Sequence, residues 1–355
     1  MADVRPGVVT GAAYRAVIDA AKAGGYALPA VNVVGTNSVN AVLEAAKQAK
    51  SDVILQLSNG GAQFFAGKGY PDAHEAMVLG AVSCAHHVHL LAQRYGVCVA
   101  LHTDHANKKL IPWVSDLVGH SEQHFERTGQ PLFSSHMLDL SELPLEENLS
   151  LSADMLTRMA RLDMSLEIEL GVTGGEEDGI GHDMVEGADN SHLYTQPADV
   201  LAAWQRLQPI GHFSVAASFG NVHGVYKPGN VVLKPEVLAE GQRVAAAKLG
   251  LPEGSKPFDF VFHGGSGSLK SEIEDSLRYG VVKMNVDTDT QYAFTRPLAG
   301  HMFTNYDGVL KIDGEVGNKK VYDPRSYLKK AEAGMSARVV EACTDLKSAG
   351  RSVSV

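Results

Sequence analysis

The sequence alternates between short runs of apolar, β-favouring residues and longer segments in which apolar residues recur at helical spacing. Eight runs are predicted to be strands: Ala27–Asn32, Val53–Ser58, Val97–His102, Leu132–His136, Ser165–Leu170, Phe213–Phe219, Phe258–His263 and Val281–Asn285. Amphipathic helices are predicted between most of them: Val39–Ala49, Asp72–Tyr95, Ser152–Arg161, Pro197–Leu207, Pro235–Leu249 and Ser268–Tyr279. Strands that alternate with helices predict a parallel sheet, and their number is that of a (β/α)8 barrel.

The length of the chain, 355 residues, suits one large barrel or two ordinary domains. The sequence shows no clear repeat, low-complexity tract or linker, so we predict an α/β fold with one TIM-barrel domain over residues 1–355. Residues 1–25 are predicted to be an N-terminal helical segment, and residues 324–350 a C-terminal helix that packs on the barrel. The barrel therefore carries extra helices and a C-terminal helical extension.

The predicted strands end in polar residues. An apolar strand that ends in two histidines and a carboxylate, as in His102-Thr103-Asp104-His105, is costly to bury unless those groups bind a metal or each other. The active sites of such barrels lie at the C-terminal ends of the strands. The polar residues at these ends are Asn32, Ser58, Asp104, His105, Asp139, Glu169, His223, His263, Asn285 and Asp287. They are the candidate site residues.

Three histidines at the ends of separate strands predict a metal site. His105, His223 and His263 would supply three nitrogen ligands with an open position, as catalytic zinc requires. We assign His102 to supporting these ligands rather than to binding. Some of the strand-end residues, such as Asn32 and Ser58, equally suit ordinary turns or helix caps.

Two further segments carry candidate chemistry. The glycine-rich turn 263–268 leads from a strand into a helix, and together with 285–288 after the next strand it predicts a phosphate site. The acidic loop 174–179, which lies between glycines, is predicted to close over a substrate as a lid. A carboxylate on that lid could remove a proton from a carbon beside a carbonyl group.

The amino-acid composition of the chain disfavours some classes of binding partner. A formal net charge of -10 without a basic cluster argues against nucleic acid and anionic membranes. Three cysteines without CxxC spacing favour reduced thiols in a cytoplasmic protein. The chain has no secretion-type apolar segment near residue 1 and no apolar run of the roughly 20 residues that a bilayer span needs. We therefore expect a cytoplasmic protein that acts on a small molecule.

Five segments together resemble class II fructose-bisphosphate aldolases: 102–105, 166–169 with 174–179, 220–226, 262–268 and 283–288. The resemblance runs from about residue 26 to residue 325 and is closest to the long, dimeric subgroup. It implies a homodimer that cleaves fructose 1,6-bisphosphate into dihydroxyacetone phosphate and glyceraldehyde 3-phosphate, and catalyses the reverse condensation, in glycolysis and gluconeogenesis.

The resemblance also implies a role for each matching residue. Zn2+ would be held by His105, His223 and His263, Asp104 would move a proton at the C4 oxygen, and Glu177 would take the proton from the α-carbon. Asp139 and Glu169 match ligands of a second metal position, and a monovalent cation, K+ or Na+, is also implied. The substrate would be bound by Asn32, Ser58, Gly224, Gly264, Gly265, Ser266, Asn285, Val286, Asp287, Thr288 and Arg325. One departure is Ala106, where the family often has cysteine, and we expect little consequence from it.

Three alternatives remain open. A tagatose 1,6-bisphosphate aldolase would share the mechanism, although the Asp323-Pro324-Arg325 segment favours fructose bisphosphate. An aldolase that forms a Schiff base would use Lys283 inside its apolar strand, but this leaves three histidines unexplained. An inactive barrel that only binds sugar phosphates is disfavoured by the intact set of candidate catalytic residues.

Overall fold

Eight parallel strands close into a barrel. The computed structural model describes residues 4–171, 174–177, 180–182, 194–223, 233–265, 268–311 and 317–354, and for 174–177, 180–182 and 222–223 it describes the backbone only. The barrel strands are β2 (Leu28–Asn32), β3 (Val53–Leu57), β4 (Cys98–Thr103), β5 (Ser135–Leu138), β6 (Ser165–Leu170), β9 (Phe213–Ala217), β11 (Phe260–Phe262) and β12 (Val281–Val286). Each pairs with the next along the chain, and β12 pairs with β2, so the sheet has no break.

Four further strands lie outside the ring. They are β1 (Gly7–Val8), β7 (Gly174–Glu177), β8 (Ile180–His182) and β10 (Val222–His223). The first extends the barrel sheet by pairing with β4, in the register Gly7 to Cys98. The other three form a small sheet in which β7 lies between a parallel β10 and an antiparallel β8.

Helices surround the barrel. They are α1 (Gly11–Gly24), α2 (Thr36–Ala49), α3 (Asn59–Ala66), α4 (Ala73–Tyr95), α5 (Ile111–Thr128), α6 (Leu145–Ala160), α7 (Pro197–Leu207), α8 (Glu236–Lys248), α9 (Lys270–Arg278), α10 (Thr288–Thr304), α11 (Tyr306–Leu310), α12 (Lys319–Tyr322) and α13 (Pro324–Asp345). The last of these packs against α2 and α10. Among the described residues, none of the helices combines the length and apolar character that crossing a bilayer demands.

The predicted (β/α)8 barrel is confirmed, with differences at individual elements. The predicted strand 132–136 lies later in the chain as β5, and the predicted helix 152–161 begins earlier, at Leu145. No helix was predicted at α10, in which only Thr290 and His301 are buried and Pro297 lies in the helix interior. The apolar residues of α10 do not form a stripe along one face of the helix. The other helices were predicted from such a stripe.

One apolar cluster closes the N-terminal end of the barrel. Tyr14, Val17 and Ile18 of α1 pack against inward-facing strand residues, among them Leu28 and Ile54. A larger cluster fills the layer between the strands and the outer helices. Because α1 blocks one end, the C-terminal end is the one at which polar side chains of the strands can meet a ligand.

The barrel interior changes from apolar to polar along the strands. Alternate residues of β4 point inward, so Ala100, His102 and then Asp104 follow one another up the interior face. The pairing register shifts between β11 and β12, and the adjacent residues Val282 and Lys283 both face the interior. Val282 belongs to the apolar cluster at the N-terminal end of the barrel. The strands thereby carry a buried polar layer above an apolar base.

A close helix contact fixes the segment after β3. Ser58 caps α3 by accepting a hydrogen bond at Oγ from the backbone N–H of Gly61, over 3.1 Å. α3 packs on α4 at Gly80, where a Cβ atom would lie 1.8 Å from the carbonyl oxygen of Ala62. Only glycine fits at position 80, and the contact between α3 and α4 fixes the position of α3 after β3.

Gly80→Ala should destabilise the fold by about 1–3 kcal/mol, because overpacking outweighs the gain of about 1 kcal/mol in helix propensity. Gly119→Ala in α5 is the matched control: a Cβ atom added there would lie 3.4 Å from Nη2 of Arg158, the far end of a flexible side chain, so the change should be neutral or slightly stabilising. Thermal unfolding of both variants checks the prediction. Equal shifts for the two would contradict the proposed close contact.

Candidate metal centre and active site

Side chains from two distant strands meet at the C-terminal end of the barrel. Nε2 of His105, just after β4, lies 2.9 Å from Nδ1 of His263, just after β11. The two rings are nearly perpendicular, at 74° with their centroids 4.6 Å apart. An oxygen of Asp104 belongs to the same group, whose ligand atoms all lie within 4.8 Å of one another. Two imidazoles and one carboxylate therefore share one small volume.

The far side of His105 contacts two more acidic residues. Nδ1 of His105 lies 3.1 Å from Oδ2 of Asp139 and 3.5 Å from Oε2 of Glu169. Burial would raise the pKa of Asp139, but the hydrogen bonds from His105 and Ser141 lower it far below its usual value. Since an ionised carboxylate only accepts hydrogen bonds, Nδ1 of His105 carries a proton and Nε2 is directed at the cluster.

The orientation of His263 is fixed in the same way. Its Nε2 lies 2.9 Å from Oε1 of Glu167, so its Nδ1 faces His105. Glu167 also accepts hydrogen bonds from Nζ of Lys283 at both oxygens, over 2.9 and 2.8 Å. Lys283 is thus held in a buried ion pair, which argues against its use as a Schiff-base nucleophile.

His102 lies below this cluster rather than in it. Its Nδ1 pairs with Oγ of Ser135 over 2.8 Å, and its Nε2 is 3.6 Å from Oε2 of Glu167. Burial lowers the pKa of His102 well below its usual value, so the ring is uncharged at neutral pH. This position agrees with a supporting role beneath the cluster.

Three side-chain amides surround Asp104. Nδ2 of Asn32 and Nε2 of Gln56 donate to Oδ2 over 3.0 and 2.9 Å, and Nδ2 of Asn285 donates to Oδ1 over 3.1 Å. Burial alone would raise the pKa of Asp104, but the neighbouring charges of His105 and Lys283 lower it to about 2. The carboxylate is therefore ionised, buried and held in one position at neutral pH.

The donor set fits a divalent metal. Imidazole nitrogens suit zinc and neighbouring transition metals, and a carboxylate behind each ring fixes which nitrogen is directed at the ion. The third predicted imidazole, His223, belongs to β10, whose backbone at this residue pairs with Gly175 of β7. The side chain of His223 lies outside the described residues.

The known proteins to which this chain is similar point to one family. Residues 12–351 match the family described as fructose-bisphosphate aldolase class-II. The chain belongs to the class II fructose-bisphosphate aldolase family. It is 57% identical over 349 residues to the fructose-bisphosphate aldolase of Mycobacterium tuberculosis, with 98% of this chain and 99% of the relative covered. The Corynebacterium glutamicum fructose-bisphosphate aldolase is 52% identical over 350 residues, with 98% and 99% covered.

A solved structure supports the same assignment. The fructose-bisphosphate aldolase from Campylobacter jejuni superimposes with a TM-score of 0.87 at 51% identity, and 98% of each chain is covered. The resemblance inferred from the five sequence segments is confirmed. The chain is thus an aldolase, a carbon–carbon lyase that acts on a sugar phosphate, which overrules the inactive-barrel alternative.

The remaining predicted residues of this aldolase occupy several places. Asn32 and Asn285 are in the Asp104 network, and Ser58 is the cap of α3. Gly264 follows His263 with a φ of +62°, a backbone conformation that favours glycine. Four of the other positions lie at or just after the ends of β11 and β12: Gly265, Val286, Asp287 and Thr288. Glu177 ends β7, and only its backbone is described. Gly224 and Ser266 lie outside the described residues.

Arg325 is separate from the cluster in its described contacts. It pairs with Asp323, 2.6 Å from Nη2 to Oδ2, and its side chain is 88% exposed. It lies at the first turn of α13. The structure therefore does not join Arg325 to the metal cluster through any described contact.

Two residues of the aldolase site were missed in the sequence analysis. Gln56 interrupts the apolar strand Val53–Leu57, and Glu167 alternates with Glu169 in β6. Both are polar residues two positions before a predicted site residue, on the same face of a strand. This spacing is the signal that could have identified them.

Gln56→Leu should reduce kcat/KM for aldol cleavage by about 10- to 100-fold, because it removes a hydrogen bond worth about 1.5–3 kcal/mol to a charged group. Metal content should not change, since Gln56 contacts Asp104 and Asn32 rather than the imidazoles. Gln242→Leu is the control: this buried glutamine donates to the carbonyls of Phe258 and Tyr279, so its loss should lower stability alone. Steady-state kinetics and metal analysis of both variants check this. Wild-type kinetics for Gln56→Leu would show that the amide does not position Asp104.

Proposed function

We propose that this aldolase cleaves fructose 1,6-bisphosphate at a zinc centre held by His105, His223 and His263, with Asp104 and Glu177 as the groups that move protons. The observation that carries the proposal is the meeting of His105 Nε2 and His263 Nδ1 over 2.9 Å beside the amide-bound carboxylate of Asp104. Zinc bound there would supply Lewis-acid polarisation of the substrate ketone. The remaining steps belong to side chains of this chain.

In the cleavage direction, Asp104 accepts the proton of the C4 hydroxyl as the bond between C3 and C4 breaks. The aldehyde fragment leaves, and the electron pair of that bond stays with the ketone fragment. Glu177 then returns a proton to C3 of that fragment, and in the condensation direction it removes this proton again. The low pKa and three amide donors keep Asp104 ionised before cleavage, which is the form that accepts a proton.

The two phosphates of the substrate orient it across the barrel mouth. We assign the ketone-side phosphate and hydroxyls to Gly224, Gly264, Gly265, Ser266, Asn285, Val286, Asp287 and Thr288. Backbone N–H groups at glycine turns and a helix N-terminus suit such an anion. Ser58 and Arg325 are assigned to the second phosphate and Asn32 to the hydroxyls.

Two ancillary ions complete the proposed site. The carboxylates of Asp139 and Glu169, which lie together beside His105, support a second divalent position. A monovalent cation, K+ or Na+, is proposed beside the ketone-side phosphate.

We place the enzyme in the cytoplasm because Cys84, Cys98 and Cys343 are all buried and free, as expected in a reducing compartment.

Asp104→Ala and Glu177→Ala should each reduce kcat for fructose 1,6-bisphosphate cleavage by about 10²- to 10⁴-fold, the range expected for a lost acid or base. Asp116→Ala, which removes a surface partner of His74, is the control and should retain activity. A chelator should abolish turnover and zinc should restore it, with no borohydride-trapped substrate on Lys283. Unchanged turnover in both site variants would remove the assigned roles.

Kinetics with tagatose 1,6-bisphosphate test the sugar assignment. The two substrates differ in configuration at C4, where Asp104 acts. A higher kcat/KM with the tagatose sugar would overturn the choice of fructose bisphosphate.

We further propose that the enzyme is a homodimer that associates through α10 and α11. Tyr292, Phe303, Tyr306 and Leu310 expose 64%, 82%, 61% and 56% of their surface within this short part of the chain. Apolar groups concentrated in this way are typical of a protein interface. The sequence resemblance to the dimeric subgroup agrees with this assignment.

Phe303→Lys should convert the dimer to monomers, because a charge placed in an apolar interface remains unpaired. Leu90→Lys is the control, since Leu90 is 72% exposed on α4, away from this surface in sequence. Sedimentation velocity measures both variants. A wild-type monomer, or a Phe303→Lys dimer as tight as the wild type, would contradict the proposed interface.

A further inference from the structure

A buried lysine, glutamate and histidine form a line that ends at the metal cluster. Nζ of Lys283 contacts both oxygens of Glu167, and Oε1 of Glu167 contacts Nε2 of His263 over 2.9 Å. All three side chains are at most 3% exposed. No proton transfer or substrate contact assigned above uses Glu167 or Lys283, although both lie directly beneath the site.

Burying the carboxylate of Glu167 costs free energy, and apolar side chains could fill the same space without that cost. Replacing a buried ion pair with apolar residues is often neutral or stabilising, so such a pair is weak evidence for stability alone. Here the carboxylate has a further contact, because it accepts the hydrogen bond from the imidazole that faces His105. Its position therefore affects which ring nitrogen of His263 is available.

We propose that Glu167, neutralised by Lys283, is a positioning residue that fixes the tautomer and rotation of His263 so that Nδ1 is presented to the metal. The carboxylate accepts from Nε2–H, which places the proton on Nε2 and leaves the lone pair on Nδ1. Lys283 is thus a counter-ion. The inference rests on the proposed function only in taking His263 as a metal ligand.

Lys283 has a defined part in this arrangement. An isolated carboxylate inside the barrel would be costly to bury. The ammonium group of Lys283, within 2.9 Å of both oxygens, offsets that cost. His102 adds no second hydrogen bond to Glu167, since its Nε2 is 3.6 Å away.

The same chemical arrangement recurs at a second place in the barrel and provides a matched control. Lys22 contacts Oδ1 of Asp259 over 2.7 Å, and Oδ2 of Asp259 lies 3.2 Å from Nε2 of His212. This line precedes β11 and lies beside α1, at the closed end of the barrel. It contains the same three types of group but no proposed metal ligand.

The test compares zinc affinity with the stability of the metal-free protein. Glu167→Gln removes the carboxylate, Lys283→Met removes only the counter-ion, and Glu167→Gln with Lys283→Met removes both charges. Each full-length variant is stripped with a chelator, titrated with Zn2+ against a chromogenic competitor, and melted without metal. Nitrogen-15 NMR of labelled histidine reports the His263 tautomer.

We expect Glu167→Gln to weaken zinc binding by about 10- to 100-fold, the usual effect of removing a partner behind a metal-binding histidine. Lys283→Met should lower the melting temperature but keep zinc affinity within about threefold, because the carboxylate still contacts His263. The double variant should regain melting temperature relative to Glu167→Gln, since no unpaired charge remains, yet bind zinc as weakly as that single variant.

Other outcomes overturn the proposal. Wild-type zinc affinity in Glu167→Gln, a proton on Nδ1 of His263 in the metal-free wild-type protein, or recovery of affinity in the double variant would each show that the pair is only structural. Should Glu167→Gln not fold, the double variant, whose buried charges are balanced, decides the question. Asp259→Asn with Lys22→Met should change stability but leave zinc affinity at the wild-type value.

A separate result would identify failure of the proposed function. If the wild-type protein bound no zinc, or if His263→Ala bound it normally, the metal-centre assignment itself would be wrong. Zinc binding that depends on His263 but not on Glu167 would reject the positioning role alone.

Discussion

Charges buried inside the closed barrel are paired with hydrogen-bond donors or with groups of opposite charge. Carboxylates such as Asp104, Glu167 and Asp139 lie where water cannot solvate them freely, and each is stabilised by hydrogen-bond donors or a cation. Amides hold Asp104, an ammonium group holds Glu167, and an imidazole and a serine hold Asp139. The same contacts that make burial tolerable also fix the orientation of the reactive groups. Stability and catalytic geometry are therefore linked in this aldolase.

The fold supplies this arrangement by simple means. Strand alternation directs every second residue inward, and α1 fills the N-terminal end with Tyr14, Val17 and Ile18. Polar residues then accumulate toward the C-terminal ends of the strands, where parallel geometry brings them together. A metal centre built there combines ligands that are far apart in sequence, such as His105 and His263, without any long loop having to be ordered first.

Much of this could be predicted from sequence, and the failures have physical causes. The strands were identifiable because buried parallel strands are continuous apolar runs, and the histidines because imidazole at the end of such a run is unusual. Gln56 and Glu167 were missed because a single sequence does not show which inward polar residues touch one another. Ser58 keeps its predicted substrate contact as a proposal, and its described contact is the cap of α3. α10 was not assigned because its apolar residues are spread around the helix rather than gathered on one face.

The proposed metal centre requires imidazoles from separate strands to bind one metal ion beside Asp104. Anomalous diffraction at the zinc edge, on crystals of the wild-type enzyme grown with zinc, measures this directly. We expect a strong peak at about 2.0–2.1 Å from Nε2 of His105 and Nδ1 of His263, with the imidazole of His223 as the third ligand. A peak bound elsewhere, or a zinc ion at this end of the barrel without those nitrogens as ligands, would contradict it.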